Sequence, residues 1–312
     1  MKPTFLVIGA AKAGTTSLYR LLGQHPQIFL SARKELHFFS FDRNWEKGPG
    51  WYESWFEGGA DFAQRGEASS TYTVRKVFPL VAERLAVYDP ERELRLIYIV
   101  RDPLERIESG WQQLRRFGPA PAIRAAGLGD IPDSLWVDSS FDRAVRRQSD
   151  ALVESTNYRE ELAVHRRHYP DARILVLLLE DLKRDPRAVM RRCFGFLGVD
   201  AGVELTDYDV RANAYGSYSV PRPLLRRFWA SPWRRRICAA AVDRLPPGLA
   251  ERVDRRLFRV RLTERPRWEP ETRHWVLDRL RSDLERFLEE HGYPRNAWRL
   301  DEPRTSPADR PG

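Results

Sequence analysis

Short unbroken apolar runs alternate along this chain with longer stretches in which apolar residues recur every three or four positions. Phe5-Leu-Val-Ile8 is brief, β-rich and closed by Gly9, the signature of a strand buried on both faces. Runs of this kind predict strands over 4–8, 28–30, 94–100 and 173–179, and 65–68 is a further strand candidate. The helical period predicts helices over 15–23, 74–87, 103–116, 141–151, 157–168, 186–197 and 271–291. Strands that alternate with helices imply a parallel sheet covered by helices on both faces, an α/β three-layer fold. Residues 117–139, with Pro119, Pro121, Pro132 and several glycines, read as a long loop suited to a lid. The proline-rich tail 301–312 reads as disordered, which leaves 1–300 as a single domain.

The first strand runs into the chain's most informative segment, Gly9-Ala-Ala-Lys12-Ala-Gly14-Thr15-Thr16-Ser17-Leu18. Small residues let the backbone approach an anion closely, and the helix that follows points its first amides at the same place. Gly9 and Gly14 have the spacing of a nucleotide-binding phosphate loop, and Thr16 fills its hydroxyl position. Thr15 stands where such a loop carries lysine, and the only lysine, Lys12, lies inside the loop. The strand Leu94–Val100 is followed by Arg101, not by the aspartate that would help hold Mg²⁺. A cation there suits a second phosphate. The site reads as P-loop-like, nucleotide-binding and metal-free.

These segments resemble the sulfotransferases that use 3′-phosphoadenosine-5′-phosphosulfate. Ala11–Leu18 is similar to their 5′-phosphosulfate loop, and Ile99–Trp111, with Arg101 and Ser109 eight residues apart, to their 3′-phosphate segment. Lys34-Glu35-Leu-His37-Phe38-Phe39 resembles most the heparan sulfate 3-O-sulfotransferases and the related N-sulfotransferase domains. Further likenesses lie at Gly50-Trp51-Tyr52, Gly66–Ser69, Tyr158, Ile174–Val176, Pro270-Glu271-Thr272 and a helix ending at Trp298. The resemblance implies a donor site of Lys12, Ala13, Gly14, Thr15, Thr16, Ser17, Arg101 and Ser109. It implies Glu35 as the catalytic base, with adenosine 3′,5′-bisphosphate as the product. Where the family often has Glu-Lys-Ser, this chain has Glu67-Ala68-Ser69, so one acceptor-side cation is missing and the acceptor stays open.

The chemistry of the residues agrees. Displacement at sulfur builds charge on the leaving oxygen, which Lys12 can stabilise. The attacking hydroxyl must lose a proton, and a carboxylate within hydrogen-bond reach is the simplest base. By spacing alone, Glu35 could instead be a surface carboxylate paired with Lys34 or Arg33. Lys34 and His37 are expected on the acceptor side, His37 orienting Glu35 or the acceptor. The alternatives are a metal-dependent nucleotide kinase and a nucleotide-binding module without turnover. His165 and His168, flanked by Arg166 and Arg167, read as a solvated helix face and not as metal ligands.

Charge sharpens the picture in one place. Between Arg222 and Arg261 stand twelve arginines and three acids, a net of +9 that equals that of the whole chain. Residues 222–265 are therefore expected to form a basic helical insertion, either a solvated surface or an electrostatic one facing an anionic acceptor or an anionic membrane. Trp229 and Trp233 among the arginines favour an interface, and no nucleic-acid module accompanies them. The expected acceptor is a carbohydrate, glycolipid or small molecule. Cys193 and Cys238 fall in separate predicted helices, as suits a reducing compartment. No apolar run approaches the ~20 residues of a membrane span, and the first strand begins too early to leave room for a signal peptide. The expected location is cytoplasmic, with possible peripheral contact at the inner membrane surface.

Overall fold

The computed structural model describes residues 1–117, 140–209, 219–221, 259–261, 265–298 and 300. Five parallel strands, β1 (Phe5–Gly9), β2 (Ile28–Leu30), β3 (Gln64–Ala68), β4 (Arg95–Val100) and β5 (Ile174–Leu178), lie in the order β2-β3-β1-β4-β5. Register aligns Val7 with Ala68 on one side and Ile97 on the other. The helices are α1 (Thr15–Leu22), α2 (Asp42–Trp45), α3 (Gly48–Ser54), α4 (Val81–Tyr88), α5 (Pro103–Phe117) and α6 (Phe141–Arg147). They continue as α7 (Ser149–Leu152), α8 (Tyr158–Arg166), α9 (Leu179–Arg184), α10 (Pro186–Leu197) and α11 (Pro270–Glu290).

Alternation along the central strands sorts these helices into layers, because successive side chains of a strand point to opposite faces. Phe5, Val7, Ile97, Ile99, Leu175 and Leu177 pack against α1 and α10. Leu6, Ile8, Leu96, Tyr98, Val176 and Leu178 pack against α5, α8 and α11. The helix after β1 thus covers one face and the helix after β4 the other. That reversal makes a crevice at the carboxyl ends of β1 and β4, where open α/β sheets take their ligands.

Local signals explain several helix ends. The Asp185 carboxylate accepts the Ala188 amide at 3.0 Å, Pro186 opens α10 and Gly198, at φ +72, closes it. Cys193 on α10 is buried, which pushes its thiol up to about 12.

Other expectations are corrected. The helix predicted over 74–87 begins only at Val81, because Pro79 has no amide to give and turns Phe78 away from helical geometry. The helix predicted over 141–151 breaks at Gln148, whose ψ is 39. Trp298 lies beyond a helix that ends at Glu290, before Gly292 and Pro294; its indole donates to Glu180 at 3.3 Å. His165 is fully buried with Nε2 2.9 Å from the Tyr72 carbonyl, since α8 turns this residue toward the core. That burial pushes its imidazole down to about 4.

At the edges of the basic segment, Ser219–Pro221 and Arg259–Arg261 pair as antiparallel strands β6 and β7, so 259–261 is strand and not helix. The ladder supplies backbone partners that helix would otherwise provide. Residues 222–258, Cys238 among them, residues 262–264, the long loop from 118 to 139 and the tail from 301 lie outside the described residues. No described helix is long and apolar enough to cross a membrane.

Candidate active site

The loop after β1 is shaped by close backbone approaches. The Ala10 amide donates to the Ile99 carbonyl at 2.6 Å, which ties the loop's start to β4. Lys12, at φ +67, and Gly14, at φ +91, both take left-handed conformations. A Cβ on Gly14 would stand 2.5 Å from Leu179 Cδ1, so position 14 needs glycine for space as well as for backbone angle. Gly14 caps α1, and the amides of the helix's first turn have no helical carbonyl to serve. Ala13, Thr15 and Ser17 are buried, while Lys12 and Thr16 are half-buried. The loop's form is that of an anion cradle.

Arg101, just past β4, backs this loop. Its Nη1 donates to the Lys12 carbonyl at 3.1 Å and its Nη2 pairs with Glu105. The Tyr158 hydroxyl in turn donates to the Arg101 carbonyl at 2.8 Å. Arg101 Nε is buried and has no hydrogen-bond partner among the described residues. A buried guanidinium nitrogen without an acceptor fits a phosphate oxygen that would complete it. Ser109 lies on α5, half-buried, and no hydrogen bond joins it to Arg101. The expected pair therefore stands on either side of the start of α5, with no hydrogen bond between its members.

The second half of the site sits at the ends of β2 and β3. Glu35 and His37 adopt φ +62 and +53, conformations costly for side-chain-bearing residues. The loop is held there by β3: the Glu35 amide donates to the Ala68 carbonyl at 2.8 Å and the His37 amide to Ser69 Oγ at 3.0 Å. The Glu35 carboxylate accepts the Ser70 amide at 2.9 Å and the Ser70 hydroxyl at 3.0 Å. It also pairs with Lys34, and His37 Nε2 lies 3.6 Å away. The Lys34 ion pair weighed at the outset does form, but within a fixed cluster and not on open surface. The Glu35 side chain keeps 29% exposure, enough to meet a substrate.

Burial alone would raise the Glu35 carboxyl, but the Lys34 and His37 charges and the bonds from Lys34 and Ser70 outweigh it. The net position is below the ordinary carboxylate value. Glu35 is therefore ionised at neutral pH and able to accept a proton. His37, packed edge-on against Phe41 with ring centroids 5.0 Å apart, has its imidazole pushed down, first by burial. Its Nδ1 lies 2.9 Å from Thr71 Oγ1.

Lys12, Ala13, Gly14, Thr15, Thr16, Ser17 and Arg101 thus stand together at the ends of β1 and β4. Lys34, Glu35 and His37 stand together at the ends of β2 and β3, along the same carboxyl edge of the sheet. Sequence reasoning missed Ser70, which grips Glu35 and whose only signal was its place shortly after a predicted strand, and it named Glu67 within a family-like segment without foreseeing its burial beneath Glu35. No group of three potential metal ligands is found among the described residues.

A parallel α/β sheet, an anion loop without the NTPase lysine and an arginine in place of the magnesium aspartate define a phosphate-loop transferase-like class. The sulfotransferase domain model matches residues 2–213, and the chain belongs to that family. It is 28% identical over 198 residues to mouse heparan sulfate glucosamine 3-O-sulfotransferase 3A1, covering 63% of this chain and 46% of that protein. Over 206 residues it is 28% identical to human bifunctional heparan sulfate N-deacetylase/N-sulfotransferase 2, covering 63% of this chain and 22% of that protein. The chain therefore spans about half or less of these relatives' length. The fold is that of a sulfotransferase from Alicyclobacillus acidocaldarius, with a TM-score of 0.59 at 21% identity over 96% of this chain and 99% of that one.

Proposed function

We propose that this chain moves a sulfuryl group from 3′-phosphoadenosine-5′-phosphosulfate to a hydroxyl, or an amine, of a carbohydrate, glycolipid or related small acceptor. The observation that carries the reading is the juxtaposition along one sheet edge. An anion loop backed by Arg101 stands at the β1 and β4 ends, and an ionised, half-accessible Glu35 stands at the β2 and β3 ends.

In this reading the loop amides from Ala13 to Ser17 hold the 5′ end of the donor. Arg101, through its unsatisfied Nε, and Ser109 take the 3′-phosphate. Glu35 accepts the proton as the acceptor oxygen bonds to sulfur. Lys12 stabilises the bridging oxygen as its bond to sulfur breaks, leaving adenosine 3′,5′-bisphosphate. Lys34 and His37 face the acceptor and hold Glu35 in place. No residue in this scheme requires a metal.

A carbohydrate acceptor is supported by the names of the curated relatives, which are heparan sulfate enzymes. Ala68, where that type often has lysine, argues for a different acceptor contact. The arginine-rich stretch from 222 to 261 serves acceptor or anionic membrane-surface access, at a cytoplasmic location.

Thermal shift with adenosine 3′,5′-bisphosphate, beside ATP plus Mg²⁺, tests the donor half. A ligand at a hundred times its dissociation constant stabilises by ~2.7 kcal/mol. Stabilisation by ATP–Mg²⁺ alone overturns the proposal. Stabilisation by the bisphosphate without transfer to any member of a broad acceptor panel would instead support a binding module.

A further inference from the structure

Beneath Glu35 lies a second carboxylate that the reaction scheme does not use. Glu67, the penultimate residue of β3, is fully buried, and no lysine or arginine bonds to it among the described residues. Three hydroxyls donate into it instead. Tyr72 and Tyr52 share Oε1 at 2.6 and 3.2 Å, and Ser69 alone takes Oε2 at 2.7 Å. Ser69 Oγ, its own hydrogen committed to Glu67, is the acceptor of the His37 amide at 3.0 Å.

This arrangement asks for a charged carboxylate. An ionised carboxylate accepts at both oxygens and can take all three hydroxyls, whereas a protonated one must donate at one oxygen. Oε1 already carries two tyrosines, so the added proton falls on Oε2 and points at Ser69. The serine hydrogen must then turn away, and the acceptor that fixes the His37 amide is disturbed. His37 and Glu35 both sit in left-handed backbone conformations, which persist only while their surroundings hold them.

We propose that Glu67 is a positioning residue whose ionised carboxylate, acting through Ser69, holds the His37 and Glu35 loop in its reactive conformation. The proposal rests on the sulfotransferase reading for its effect on turnover, but the coupling itself is a property of the fold. The groups facing Glu67 are Tyr52 from α3, Tyr72 and Ser69 from the turn after β3, Tyr19 from α1 and Glu35 from the loop after β2. The Glu35 charge adds to the penalty of burial, which comes first, and together they push the Glu67 carboxyl up to about 7. Its charge therefore changes near neutral pH, while Glu35, lying lower, stays ionised.

Selective ¹⁵N labelling of the six histidines gives a spectrum simple enough to follow the His37 amide. Loss of one signal in His37→Gln assigns it. The wild-type His37 amide should shift with a midpoint close to pH 7. In Glu67→Gln that step should vanish, leaving only the lower-pH step of the His37 imidazole itself. In Ser69→Ala the Glu67 side chain, followed by ¹³C labelling of glutamate, should still titrate while the His37 amide no longer follows it.

For turnover, kcat in Ser69→Ala should fall about tenfold, with adenosine 3′,5′-bisphosphate affinity within about twofold of wild type. The proposal is overturned if the wild-type His37 amide shows no step close to pH 7, or if that step survives in both variants. If Glu67→Gln fails to fold, the Ser69→Ala comparison decides alone. Titration as expected in a protein that transfers no sulfuryl group would leave the coupling intact and overturn the enzyme reading instead.

Discussion

Around β1 and β4 the site is made of backbone and arginine, whereas around β2 and β3 it is made of carboxylates and the hydroxyls that restrain them. On the first side a handful of consecutive residues bend into a cradle, and Arg101 props it through the Lys12 carbonyl. On the second side Ser70 grips Glu35 and Ser69 grips His37, both more than thirty residues further along the chain. The two carboxylates of that side show how much environment decides. Glu35 has a cation, an amide and a hydroxyl beside it and is held below the ordinary value; Glu67 has only hydroxyls and is raised. An anion cradle can be carried by one contiguous loop, but a carboxylate's charge must be tuned by a neighbourhood.

The sharpest test of the division is Glu35→Gln. Glutamine keeps the shape and the contacts to Ser70 but cannot accept a proton. Turnover should fall by about 10²- to 10⁴-fold, with adenosine 3′,5′-bisphosphate affinity unchanged by calorimetry. Activity within about threefold of wild type would remove Glu35 from the chemistry.

Arg101→Ala probes the other side. The charged contact removed is worth ~1.5–3 kcal/mol, so affinity for the bisphosphate should drop about 10- to 100-fold. The analogue lacking the 3′-phosphate should lose far less. Equal losses would mean that Arg101 serves the loop's fold through Lys12 and not the ligand.

Stability against pH separates the two carboxylates again. The raised Glu67 carboxyl makes the folded chain bind its proton more tightly than the unfolded chain, whose value is near 4.5. Its contribution is thus greatest below that value and is lost as pH rises toward about 7, after which the deficit is constant. Relative to wild type, Glu67→Gln should gain up to ~3 kcal/mol between acid and neutral pH in denaturant titrations. A flat difference would show that the buried acid does not titrate in this window.

The smallest effect on the donor side is expected from reversing Arg226, Arg227, Arg234 and Arg235 to glutamate. Bisphosphate affinity should stay within about twofold, because every residue assigned to the bisphosphate lies before position 110. Retention on anionic vesicles should fall, most clearly at low salt, where screening is weakest. Loss of bisphosphate affinity would instead join the stretch to the nucleotide side.

The amino-acid sequence by itself determined the layered α/β plan and the anion loop, because both rest on local rules. Strands buried on both faces read as unbroken apolar runs, and Gly9, Gly14 and the helix start lie within ten residues. It also marked Lys12, Glu35 and Arg101, each within five residues of the end of such a run. What tertiary structure alone decided was the company each residue keeps. The chain order does not say that β3 enters between β2 and β1, yet that placement carries Ser70 to Glu35 and Ser69 to His37 and seals Glu67 beneath them. Helical periodicity sets His165 on the face of Tyr158 and Leu162, but only the fold brings the Tyr72 carbonyl to meet it. Burial and hydrogen-bond partners come from residues distant in sequence, and they alone separate an ionised carboxylate from a raised, buried one.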